Sequence, residues 1–160
     1  MSTQTPTVQS WFHAPTFTAT HCIIDPETRH CAILDSVLDF DYASGRTKTD
    51  FADQIAAYVR EQGLTVDWLL ESHAHADHLS AAPYLKKLFG GQIAIGEHIQ
   101  DVQKVFSQVF NDSTMPTDGS PFDHLFKDGE TFAIGKLQAR VMHTPGHTPA
   151  CVTYLVGDSA

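Results

Sequence analysis

The spacing of apolar positions changes repeatedly along the chain, and each change marks an element. Residues 16–24 roughly alternate between apolar and polar, and residues 30–34 are a short apolar run. With the turn Asp25-Pro26-Glu27-Thr28 between them, they predict two antiparallel strands. Residues 39–48 read as loop. Thr49 or Asp50 is placed to cap a helix that carries Phe51, Ile55, Tyr58 and Val59 on one face and stops at Gly63. Residues 64–71 then form a strand, Ser80 caps a second helix running to Phe89, and Gly90-Gly91 returns the chain into a strand at residues 92–95. Glu97 opens a third helix, whose Ile99, Val102, Phe106, Val109 and Phe110 fall at helical spacing and are expected to face the core. A turn-rich stretch, residues 111–121, is expected to be a mobile loop. Short runs at residues 125–126, 131–134, 136–142 and 151–156 follow as antiparallel strands with tight turns.

Composition sets the frame for this strand-helix alternation. A length of 160 residues with 42% hydrophobic content suits one domain with a substantial core. The expected division is a polar tail at residues 1–14 and a domain at residues 15–160. No apolar run approaches the roughly 20 residues needed to span a bilayer, and the polar start Met1-Ser2-Thr3-Gln4-Thr5 lacks the features of a signal peptide, so a cytoplasmic protein is expected. A formal charge of -9 argues against nucleic acid or an anionic membrane as partner. Three cysteines, Cys22, Cys31 and Cys151, show no Cys-x-x-Cys spacing; Cys22 and Cys31 flank the first turn and are expected to be buried, reduced thiols.

The densest chemistry follows the strand at residues 64–71. Ser72-His73-Ala74-His75-Ala76-Asp77-His78 places four metal-capable side chains within six residues. Imidazole nitrogen and carboxylate oxygen bind zinc or iron when the imidazole is neutral and the carboxylate ionised. An extended backbone turns His73 and His75 to one side, and Asp77 and His78 follow as the chain enters a helix. Such a cluster suits one metal or two. The bland alternative is a polar loop with adjacent histidines, which the concentration of ligand types at a strand end disfavours. A second strand-like run, residues 137–141, leads into His143-Thr144-Pro145-Gly146-His147-Thr148, where the Pro-Gly turn aims His147 away from the strand.

The pattern His-x-His-x-Asp-His, followed about seventy residues later by Thr144-Pro145-Gly146-His147-Thr148, resembles the metallo-β-lactamase superfamily. Residues 32–41, 44–47 and 95–99, with Val102 and Gln103, resemble its persulfide dioxygenase (sulfur dioxygenase) branch and the bacterial β-lactamase-like relatives. The likeness runs from about residue 17 to the last residue. It implies an α/β fold, the αβ/βα sandwich of the superfamily, of which this chain would be the N-terminal portion with the metal at one edge between two sheets.

The resemblance also implies a site. In that branch a single Fe(II) is held by two histidines and one aspartate, and by motif position the histidines are His73 and His147. His75, Asp77 and His78 would orient those ligands or supply a second metal position, with Asp77 and His78 the expected catalytic residues. The implied reaction oxidises glutathione persulfide with O2 to glutathione and sulfite, in sulfide detoxification. With zinc, one ion or two, the scaffold would instead be a hydrolase of the glyoxalase II or lactonase type. A non-catalytic metal-binding module is the third reading, should the chain be complete as given. The expected partners are a small-molecule thiol or persulfide and O2, with association into a homo-oligomer.

Other histidines rank lower. His143 is expected to bond to backbone, and His98 to cap or pack a helix. His13, His21, His30 and His124 have no spacing that suggests ligation, and Asp35 is expected either to support the metal loop or to cap a turn. The family's aspartate ligand belongs in a strand beyond residues 151–156, and Asp158 reads as a turn residue. The chain is therefore expected to be a fragment of a longer enzyme, with unpaired strand edges and little dioxygenase activity by itself.

Overall fold

The structure, a computed structural model, describes residues 5–158. In chain order its first elements are β1 (Thr7–His13), β2 (Thr18–Ile24), β3 (His30–Leu34), β4 (Val37–Asp41), β5 (Arg46–Lys48), α1 (Asp50–Glu61), β6 (Thr65–Leu70) and β7 (Leu79–Ser80). The rest are α2 (Ala82–Phe89), β8 (Gln92–Gly96), α3 (Ile99–Val109), β9 (His124–Phe126), β10 (Thr131–Ile134), β11 (Leu137–His143) and β12 (Val152–Val156). A six-stranded sheet has the order β1-β2-β3-β6-β8-β9; β1, β2 and β3 are antiparallel, while β3, β6, β8 and β9 run parallel. A three-stranded antiparallel sheet, β10-β11-β12, lies against it, and β5-β4-β7 form a small third sheet.

Alternation along the central strands divides the core between two layers. Cys22, Ile24, Cys31, Ile33, Leu69 and Ile93 face one side, where Phe51, Ile55 and Val59 of α1 and Leu85 of α2 cover them. Ile23, Ala32, Leu70 and Ala94 face the other, against Ile134, Val141, Val152 and Tyr154 of the smaller sheet. One bulge makes this division work. Cys31 pairs with Val66 but Ala32 pairs with Trp68, so Asp67 is an extra residue and Val66 and Trp68 reach opposite layers. Asp67 is held in turn by His30 Nδ1 at 2.7 Å and the Gly135 N–H at 3.0 Å. Cys22 and Cys31 are both buried free thiols on the helix-facing side.

Three expectations need correction. Residues 7–13, assigned to a polar tail, form β1, an edge strand whose inward Trp11 meets Tyr58 edge-on at 5.2 Å; its outer residues are exposed, which is why it reads as polar. Residues 1–4 of that tail lie outside the described residues. The stretch at 39–48 is not loop throughout: Asp39, Phe40 and Asp41 pair with Lys48, Thr47 and Arg46. The apolar stripe of α3 is not core either. Ile99 alone in that helix is buried, whereas Val105, Phe106 and Val109 are exposed and Phe106 stacks on Phe110 at 5.7 Å. The polar side chains of α3 anchor it instead: Gln100 and Gln103 donate to the Asp118 and Ser120 carbonyls, and Gln103 accepts the Gly119 N–H.

Helix starts are also built differently from the expected caps. Thr49 stands at the N-cap of α1 and its carbonyl accepts the Asp53 N–H at 2.7 Å, but its side chain makes no cap bond; Asp39 of β4 accepts the Phe51 N–H at 2.8 Å instead, which fixes α1 to the sheet end. Ser80 Oγ accepts the Ala82 N–H at 3.0 Å, so the expected serine does satisfy the start of α2.

The two main sheets are joined at the end remote from the histidine loop. Asp25 accepts from Thr28 Oγ1 at 2.5 Å, the Glu27 N–H at 3.0 Å and, from the opposite sheet, the Lys136 N–H at 2.8 Å. Burial opposes charge on Asp25, but these bonds outweigh it and hold the carboxyl below the usual range. Its contribution to stability is therefore full above the ordinary carboxylate pKa and fades as pH falls through the lower folded value. Acid titration of chemical stability should show this component in the wild type and lose it in Asp25→Asn. Gly135, at φ +58°, packs so closely that a Cβ would collide with Thr28 Oγ1 and Asp25 Oδ2. Gly135→Ala should lower the unfolding midpoint, and Leu85→Ala, which empties a fully buried position, should cost about 2–5 kcal/mol in denaturant titration.

Candidate metal centre

The ends of parallel strands converge where the histidine cluster lies, the edge at which open α/β sheets carry their sites. β6 runs out at Leu70, and the Glu71 N–H is held by the Ala94 carbonyl at 3.0 Å. Residues 71–78 are irregular, and the chain then forms β7 before α2, so Asp77 and His78 precede a short strand and not a helix as expected. The loop is clamped from the smaller sheet, where the Val152 N–H donates to the Ser72 carbonyl and the buried Tyr154 hydroxyl to the Glu71 carbonyl, each at 2.9 Å. Asp35 clamps it from β3. With φ at +54°, its Oδ1 accepts the Ser72 N–H at 2.7 Å and lies 3.0 Å from His75 Nε2. Asp35 thus holds the loop that carries the histidines.

Two loops bring the imidazoles together. The turn after β11 is closed by Thr144 N–H to the Cys151 carbonyl at 3.0 Å and Gly146 N–H to the Thr148 carbonyl at 3.2 Å. It carries the exposed His147 to His73, ring centroids 4.9 Å apart and nearly perpendicular. His73 lies 4.1 Å from His75, and His75 lies 4.2 Å from His78. All five residues expected at the metal, His73, His75, Asp77, His78 and His147, are therefore in one continuous group.

The bonds at each ring decide which nitrogen faces inward. Ser72 Oγ lies 2.8 Å from His73 Nδ1, which leaves Nε2 as the nitrogen free to take a metal. His75 Nε2 is occupied by Asp35, and its Nδ1 points toward Asp77, 4.0 Å from Oδ1. His78 Nδ1 lies 3.4 Å from both Asp77 Oδ2 and Thr18 Oγ1, while its Nε2 is buried without a partner. A buried ring nitrogen without a partner is costly unless something occupies it, and a metal ion does so. His75, Asp77 and His78 each offer an atom within 4.8 Å of the others. The residues present therefore fit a metal.

Electrostatics agree for His73 and His78. Burial and the neighbouring His75 keep the His73 and His78 pKa values below the ordinary imidazole range, in the neutral form that binds metal. Burial opposes charge on His75, but the neighbouring Asp35 and Glu71 carboxylates outweigh it and push its pKa up to about 10, so a metal at its Nδ1 must displace a proton. Burial opposes charge on Asp35 too, but His75 and the bonds from Ser72 outweigh it and hold its pKa low. Asp77 also stays ionised, since bonds from His78 and Thr18 outweigh burial. Beside the centre opens a cavity of about 540 Å³ whose lining includes His75, Asp77, His78, Phe40, Tyr42 and Lys48.

The remaining histidines have other partners. His13 lies 3.1 Å from Asp39, His21 2.7 Å from Ser10, His30 2.7 Å from Asp67 and His124 2.7 Å from Glu130. His143 bonds the Pro149 carbonyl at 2.9 Å, as expected of a strand-end residue, and stacks on His98 at 4.2 Å. Asp158 sits in the turn after β12. Missing from the expected set were Glu71, Ser80, Thr18 and Tyr154. Their only sequence signal was adjacency to the motif or none at all.

A family model of the metallo-beta-lactamase superfamily matches residues 23–159. The chain belongs to this superfamily. It is 53% identical over 154 residues to a probable metallo-hydrolase of Burkholderia pseudomallei, covering 96% of this chain and 52% of the relative. It is 54% identical over 136 residues to Glyoxylase B2 of Dictyostelium discoideum, covering 84% of this chain and 47% of the relative. To the human mitochondrial persulfide dioxygenase ETHE1 it is 26% identical over 151 residues, covering 94% and 48%. The crystal structure of ETHE1 from Myxococcus xanthus superposes with a TM-score of 0.70 at 24% identity, covering 95% of this chain and 54% of that one. The superfamily fold is thus present as its N-terminal portion, and this chain spans about half the length of these relatives. No helix among the described residues is long and apolar enough to cross a membrane.

Replacing His73 or His147 with Ala should lower the zinc or iron retained after gel filtration, measured by elemental analysis, whereas His98→Ala should leave it unchanged. Asp35→Asn should weaken metal affinity about 10–100-fold, as losses of ligand-orienting residues do.

Proposed function

We propose that the protein containing this chain is an iron-dependent persulfide dioxygenase, acting on a small-molecule persulfide such as glutathione persulfide with O2. The observation that carries the reading is the pairing of His73 with His147. These two imidazoles come from separate strand ends and face each other at 4.9 Å, while His75, Asp77 and His78 are engaged with one another and with Asp35 and Thr18. Two histidines able to reach one position would, with the aspartate expected beyond residue 156, make a facial triad that leaves room for substrate and oxygen. The likeness to persulfide dioxygenase ETHE1 supports the same reading.

Bound iron(II) would supply the redox chemistry that couples O2 to the terminal persulfide sulfur. The residues of this chain would do the rest: His73 and His147 hold the ion, and the Asp35–His75 pair fixes the loop. Ionised Asp77, bonded to His78, lines the cavity and would take the proton that the persulfide loses. Overall, one persulfide, one O2 and one water give one thiol, one sulfite and two protons.

A second reading is a dizinc hydrolase, and one feature favours it. The buried, unpartnered Nε2 of His78, with His75 and Asp77, offers a second metal position. Zinc there would generate a hydroxide nucleophile for a thioester or lactone carbonyl, and the relatives near 50% identity carry hydrolase or glyoxylase names.

Metal content, O2 uptake with glutathione persulfide and thioester hydrolysis should be measured on the full-length protein. One iron per chain with O2 uptake and sulfite release is the expected result; two zincs with hydrolysis and no O2 uptake would overturn it in favour of the hydrolase.

A further inference from the structure

Glu71 is a buried acid that the chemistry above leaves without a task. Only 3% of the residue is exposed, and it sits at the root of the metal loop. Ser80 Oγ donates to its Oε1, which fixes the carboxylate plane. Its Oε2 has no hydrogen-bond partner, yet it stands 3.2 Å from Nε2 of His75. That nitrogen is also the one bonded to Asp35 at 3.0 Å. Asp35, Glu71 and His75 each present an atom within 4.8 Å of the others, so a single ring N–H faces two carboxylates.

Burying a carboxylate oxygen without a partner costs free energy that a glutamine, serine or apolar side chain would avoid. Its position beside an N–H already claimed by Asp35 gives it a use. A small rotation of the imidazole about its bonds moves the N–H from one acceptor to the other, so the ring keeps a partner over a range of orientations. His75 Nδ1 meanwhile stays directed toward Asp77.

We propose that Glu71 is a positioning residue for the metal centre: with Asp35 it forms a two-carboxylate cradle for His75 Nε2–H, aiming Nδ1 at the metal and strengthening it as a donor. Ser80, the first turn of α2 and Tyr154 extend the cradle. Ser80 orients Glu71 and also accepts the Ala82 N–H, while Tyr154 grips the Glu71 carbonyl, so both layers of the fold hold one ligand in place. The inference rests on the second metal position described above, formed by His75, Asp77 and His78, and not on the His73 and His147 pair.

Its test is the zinc affinity of the folded chain, read by competition with a chromophoric chelator, for the wild type, Glu71→Gln, Glu71→Ala and His75→Ala. Affinity per folded molecule does not follow stability, and thermal melting of each metal-free variant records stability separately. The expected order is wild type, then Gln, then Ala, with a loss of at least about tenfold for Ala and a smaller loss for Gln, which keeps an acceptor oxygen. Affinities of both Glu71 variants within twofold of wild type overturn the proposal; if the alanine variant does not fold, the glutamine variant decides alone. The His75→Ala arm separates the two claims. Wild-type affinity there would remove His75 from the centre and overturn both, whereas a loss there with unchanged Glu71 variants would overturn this inference only.

Discussion

Asp35 keeps a left-handed backbone at the end of β3, and the whole metal loop is arranged around it. For a residue other than glycine that conformation costs on the order of 1–3 kcal/mol, so it persists only where the surroundings determine it several times over. Here they do. The Asp35 N–H bonds the Leu70 carbonyl at 2.9 Å, its carbonyl accepts Thr20 Oγ1 at 2.8 Å, and its carboxylate takes both the Ser72 N–H and His75. The strain turns the side chain across β6, where it fixes the first residue of the loop and one of its imidazoles together. Parallel pairing of β3 with β6 is what brings Asp35 and Ser72 to the same edge.

The two-layer core gives that edge its rigidity. Helices α1 and α2 cover one face of the six-stranded sheet and the β10-β11-β12 sheet covers the other, so the loop is held from both sides. The smaller sheet contributes twice, because β12 clamps the loop backbone through Val152 and Tyr154 while β11 leads into the turn that delivers His147. His147 reaches the centre only if the smaller sheet is docked in register. The Asp25 and Gly135 contact at the far end of the sheets serves the same docking.

Much of this was legible in the sequence because burial imposes simple periods. The alternation in residues 16–24 and the helical spacing from Phe51 to Val59 each report a local rule and point to β2 and α1, and the motif at residues 73–78 marks side chains that the fold does bring together. The failures were of another kind. β1 and the β4-β5 hairpin are edge elements with few buried residues, so their composition resembles loop. The α3 stripe has core-like spacing but faces outward, since its polar residues Gln100 and Gln103 are the ones that bond to the fold. For the site, the ligand types and their approximate grouping were visible, whereas Glu71, Ser80 and Tyr154 were not. Their roles depend on contacts across strands and layers, which have no period along the chain.

The central claim is that carboxylates behind the loop fix His75 with Nε2 toward Asp35 and Nδ1 toward Asp77, so that any metal it holds is bound through Nδ1, while His73 presents Nε2. Long-range proton–nitrogen NMR correlation on the zinc-loaded, nitrogen-15-labelled protein assigns the bound and protonated nitrogen of each ring directly. The account predicts a protonated Nε2 and metal-bound Nδ1 for His75, with the reverse for His73. Coordination of His75 through Nε2, or of His73 through Nδ1, would contradict it.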